Sequence, residues 1–72
     1  MLRDVPIRDE TIRLGQLLKL VGMIDSGSEA KSFLASQAVW VNDEREQRRG
    51  RQLRVGDTVR VGQRLLRVSA CA

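Results

Sequence analysis

Residues 26–42 read SGSEAKSFLASQAVWVN, a stretch in which a helical period gives way to a strand period with no glycine or proline between them. Ser26 and Glu29 have capping-box spacing, which predicts that the serine hydroxyl takes a helix amide while the glutamate reaches back to the serine amide. Behind that cap, Ala30, Phe33 and Leu34 fall at i, i+3 and i+4, an apolar stripe on one helical face. Val39-Trp40-Val41 is then β-branched and aromatic, favouring a strand, and Asn42-Asp43 supplies turn residues. Such a helix has backbone amides and Lys31 at its start, a predicted seat for an anion. The helix is expected to end near Gln37, so Gln37 or Ala38 must absorb the change of direction.

The preceding residues read as a partner helix. Thr11 is the predicted cap, and Leu14, Leu17, Leu18 and Val21 form a stripe at i, i+3, i+4 and i+7. Gly22 stands where a helix terminates in a left-handed residue, and Lys19 complements the dipole of the last turn. Gly15 has two readings, a close approach by another element or a tolerated surface glycine costing about 1 kcal/mol against alanine. Val5 and Ile7 predict a short edge strand, because Pro6 fits only at an edge or a strand start.

Residues 43–52, DEREQRRGRQ, contain no apolar side chain and predict a solvated loop or hairpin tip. Arg45, Arg48, Arg49 and Arg51 crowd four guanidiniums into it, and planar guanidinium forks match phosphate oxygens. The plain alternative is a charged loop balanced by Glu44 and Glu46. Residues 53–68 alternate with period two: Leu53 and Val55 are expected to pack, 55–57 to turn, Val59 and Val61 to face inward. Gly62-Gln63 is a hairpin signal. Residues 69–72 are expected to form a frayed tail with Cys71 a spectator. The predicted division is therefore an edge segment at 1–10, one domain at 11–68 and a tail at 69–72. Trp40 reads first as half-buried packing and second as a base-stacking platform, since no tyrosine accompanies it.

Composition narrows the function. With no histidine and one cysteine, neither a disulfide framework, a His/Cys zinc site nor a histidine-based catalytic triad is available. No nucleotide-binding loop or metal-ligand cluster is present, and the acid pairs Asp9-Glu10 and Asp43-Glu44 are adjacent surface residues. No apolar run approaches the ~20 residues that span a bilayer. The expectation is a cytoplasmic, non-catalytic monomer without cofactor or membrane. Charge is unevenly spread: residues 1–44 hold five basic against seven acidic side chains, residues 45–72 eight against two. A polyanion is the natural partner of that asymmetry, against a plain reading of charge for solubility.

Arg13-Leu14, Gly22, Ser26, Ala30-Lys31, Val39-Trp40-Val41-Asn42 and Val55-Gly56-Asp57-Thr58-Val59 occur in that order. Over about residues 11–62 the chain resembles the RNA-binding domain family named after small-subunit ribosomal protein S-four, and is most similar to its small stand-alone members. The resemblance implies an α+β fold, two helices on a small, mainly antiparallel sheet (an αL-type motif). It also implies structured RNA as partner, ribosomal or transfer, with the ribosome or an RNA-processing protein nearby. Carried over, Lys31 and Ser28 would meet phosphates with Arg13 flanking them. Arg45, Arg48, Arg49 and Arg51 would clamp from the loop, and Lys19 and Arg54 complete the predicted set. Four positions depart from the family pattern: Gly27 replaces a basic residue, Gln37 and Asp43 replace glycines, and Gly15 replaces an aspartate. The rival reading is a protein-interaction module whose basic loop docks an acidic partner; there, Trp40 or an exposed Leu20 would matter more than the arginines. DNA ranks third, because no helix carries an array of base-reading side chains.

Overall fold

The structure, a computed structural model, describes residues 2–71. The chain runs β1 (Leu2–Ile7), β2 (Thr11–Arg13), α1 (Leu14–Leu20), a 3-10 turn (Gly27–Glu29), α2 (Ala30–Ser36), β3 (Val39–Val41), β4 (Glu44–Arg45), β5 (Gln52–Arg54), β6 (Thr58–Val61) and β7 (Arg64–Ala70). Five strands form one sheet in the order β1-β7-β6-β3-β4, and β2 pairs with β5 in a separate two-stranded ribbon. Only β1 and β7 run parallel; the other pairs are antiparallel. This is the small α+β architecture expected.

Alternation along the strands sends one set of side chains to the core. Val5, Ile7, Val39, Val41, Val59, Val61, Leu66 and Val68 are buried together with Leu14, Leu17, Leu18, Ala30 and Leu34 of the helices. Phe33, expected in the core, is half-buried against it. Gly22 terminates α1 at φ +80°, and the amides of Gly22 and Met23 bond the carbonyls of Lys19 and Leu18, a Schellman pairing. Asn42 and Asp43 form the two-residue turn between β3 and β4, both with positive φ.

Several expectations are corrected. Thr11 does not cap α1. Thr11 and Ile12 are β-branched, and Thr11–Arg13 pairs antiparallel with β5, placing Ile12 opposite the fully buried Leu53. The helix starts at Leu14, where Gln16 Oε1 accepts the Arg13 amide at 3.2 Å. The Ser26 capping box is absent: its hydroxyl pairs with that of Ser28 at 2.9 Å, and Glu29 accepts the Asp25 amide at 3.3 Å. A 3-10 turn therefore leads into α2, and the acidic Glu29 stands at the predicted anion seat. Gln37 changes direction in ordinary extended geometry. Val55 is exposed rather than packed, because the turn at Gly56 lifts it away from the core. Finally, Ser69 and Ala70 are strand, not tail, and the Cys71 amide bonds Ile7 O at 3.0 Å. With Val5 and Ile7 in the core, residues 2–7 belong to the same unit as the rest.

Candidate nucleic-acid interface

The arginine loop is built on one carboxylate. Glu46 is the buried charged side chain of the described residues. Its backbone amide extends the β3–β4 pairing by bonding Val39 O at 2.8 Å, which turns the side chain inward under the loop. There the carboxylate accepts the amides of Gln47 and Arg48, Nε and Nη2 of Arg48, and Nη1 of Arg51, at 2.9–3.2 Å. The Arg48 bonds hold this carboxyl at about 2 against an ordinary 4.5, with Arg51 assisting and burial opposing. The carboxylate that pairs with two of the four loop arginines thus comes from within the loop.

So folded, residues 49–51 strap across the start of α1. Leu14 N donates to Arg51 O at 2.8 Å and Gly15 N to Arg49 O at 2.9 Å, so loop carbonyls satisfy helix amides that would otherwise lack partners. Gly15 gives the strap room. A Cβ there would meet the Ala30 Cβ at 3.2 Å and Arg49 O at 3.4 Å, which decides between its two readings in favour of close approach. Where strap, α1 and the entry to α2 meet, a shallow recess of about 320 Å³ is lined by Arg13, Gly15, Gln16, Gly27, Ala30, Arg49 and Gly50. Among the described residues neither Arg13 nor Arg49 is in an ion pair. Two guanidiniums without an ion-pair partner thus line one concave surface, and a guanidinium fork has the geometry to pair with phosphate oxygens. A larger recess of about 510 Å³ at the end of β1 holds Arg8 beside Asp9 and carries no such excess.

The predicted site residues scatter around this centre. Arg13 and Arg49 line the recess; exposed Lys31 follows Ala30 in α2, and Ser28 lies in the 3-10 turn with its hydroxyl engaged by Ser26. Arg48 and Arg51 are held by Glu46, yet Arg48 remains 74% exposed and able to reach a ligand. Lys19 is six residues along α1 from Arg13, about 9 Å up the axis. Arg54 is exposed on β5. Arg45 leaves the cluster altogether. It points from β4 to the outer face of the sheet, where its Cζ lies 5.8 Å from the Trp40 ring centroid, with Arg60 at 4.6 Å on the other neighbouring strand. Trp40 does pack, but against guanidiniums rather than into the core.

Two motif residues have structural work. Asn42 accepts the Thr58 amide at 3.0 Å and donates to Asp57 at 3.1 Å, while the other Asp57 oxygen accepts the Arg54 amide at 2.8 Å. The Val-x-Val-Asn and Val-Gly-Asp segments are thereby locked to each other. Sequence reasoning gave Glu46 only a balancing role; an acid two residues before Arg48 and five before Arg51 was the available signal.

The chain is 51% identical over 61 residues to the probable ribosome maturation protein RlbA of Bacillus subtilis (strain 168), covering 85% of this chain and 86% of that one. Residues 5–69 match the family described as S4 domain, a span from the first core residue of β1 to the last strand. With helix pair, strap and interlocked motifs all inside that span, the chain belongs to the S4 domain family.

Proposed function

We propose that this protein is a non-catalytic RNA-binding protein that grips structured RNA by its backbone phosphates through the strap and the start of the helix pair. Arg13 and Arg49 are the primary phosphate ligands, Lys31 and Ser28 extend the contact along α2, and Arg48 reaches it from the rim. The observation carrying this reading is the recess where Arg13 and Arg49 meet without a carboxylate partner. The name of the Bacillus relative supports ribosomal RNA as the target, which would put the protein at work in the cytoplasm during ribosome maturation.

The test is a salt titration of binding to ribosomal RNA fragments, with duplex DNA as control. Arg13→Ala/Arg49→Ala is the informative variant, because replacing Arg48 or Arg51 would also unseat Glu46. Each lost phosphate contact removes about one unit from the slope of log K against log salt, so the double variant should lose about two. Binding of the double variant equal to wild type would mean that the recess is not the phosphate site, and no RNA binding by either protein would leave the protein-docking reading in its place.

A further inference from the structure

We propose that the outer face of the five-stranded sheet, centred on Trp40, Arg60 and Arg45, is a second RNA contact that takes an unpaired strand. It goes beyond the reading above, because it uses a different face and does not require the recess to bind.

Strand register puts Leu65, Arg60, Trp40 and Arg45 in one row across β7, β6, β3 and β4, all on the side opposite the helices. The next row carries Asp4, Arg67 and Thr58. Asp4 is the one carboxylate among the strand residues of this face, and it is bonded to Arg67 at 2.8 Å. Arg45 and Arg60, by contrast, have no ion pair or side-chain hydrogen bond among the described residues. The face is therefore basic around a half-buried indole.

Stacking on the indole orients a guanidinium without consuming its N–H groups. The edge stays free for phosphate oxygens, and planar guanidiniums and aromatic rings are the surfaces on which unstacked bases settle. Holding Arg60 over the ring also reduces the side-chain freedom lost on binding. A duplex offers this face only its backbone, with no base to stack. An acidic peptide would offer carboxylates, but exposed ion pairs contribute little and leave the π surface unused. The combination of cation and ring matches the chemistry of single-strand binding.

Trp40 is the only tryptophan in the chain, so its fluorescence reports on this face directly. Oligouridylate is titrated against the whole protein, beside an RNA duplex and poly-glutamate. Saturable quenching by oligouridylate is expected, stronger than by the duplex and absent with poly-glutamate. Arg60→Ala should weaken it about tenfold, while Arg13→Ala/Arg49→Ala leaves it in place even if that variant loses structured RNA. Trp40→Ala, followed by anisotropy of labelled oligouridylate and checked for an unchanged fold by circular dichroism, should weaken binding similarly. The proposal is overturned if quenching is absent, if the duplex or poly-glutamate quenches equally, if Arg60→Ala binds as wild type, or if the Arg13/Arg49 variant abolishes it.

Discussion

Glu46 accepts five N–H bonds inside a loop that carries four arginines, so one carboxylate sets where the loop's charge can go. Removing it should unseat Arg48 and Arg51 together and leave two backbone amides without their acceptor. Glu46→Ala is expected to cost about 1.5–3 kcal/mol, the range for hydrogen bonds to a charged group. Its folded pKa is depressed, so the stabilisation is complete above the ordinary carboxylate value of 4.5 and disappears as pH falls toward about 2. Urea melts should show wild type losing stability between pH 5 and pH 2, with Glu46→Gln distinctly flatter over that window. At this scale the sequence was half legible. The density of arginine was plain, but Glu44 and Glu46 share one face of the strand, and only the fold of the loop shows that Glu46 is the one lying beneath Arg48 and Arg51.

Most elements defined by local period and turn chemistry were read correctly, and the edge strand at Val5 and Ile7 with them, whereas Thr11–Arg13 was not. The stop of α1 at Gly22, the strand at Val39–Val41 and the Gly62-Gln63 hairpin follow from residues within a few positions of each other. Thr11–Arg13, by contrast, is a strand only because residues 52–54 lie beside it. Ser26 looked like a cap and is not one, since a neighbouring hydroxyl competes for it. The Asn42-Asp43 turn is legible and also imperfect. Asp43 sits at φ +69°, where the family's glycine pays no steric penalty. Asp43→Gly should therefore raise stability by about 0.5–1 kcal/mol, a rise in Tm of roughly 2–8 °C for a domain of this size, visible in thermal melts. No loss of RNA affinity should accompany it.

Across the whole molecule, basic charge is divided between two surfaces, the strapped helix pair and the outer sheet face. The uneven charge of the two halves of the chain was visible from the start; its partition was not, because Arg45 and Arg49 are four residues apart and end on different sides. The recess also has room for more charge. Gly27 lines it with nothing within 4 Å of where a Cβ would stand, and its φ lies outside the positive range. Gly27→Lys should tighten binding to structured RNA and steepen the salt slope by up to about one unit, measured by anisotropy. Quenching of Trp40 by oligouridylate should not change. One further consequence lies in the parallel seam between the first and last strands. Leu2 is paired with Leu65, so on the synthesising ribosome β1 must wait for about sixty more residues, some seconds of translation, before its partner exists. Until then Val5 and Ile7 have no wall to rest on, and the nascent chain can close its sheet only after the strand that came last has left the exit tunnel.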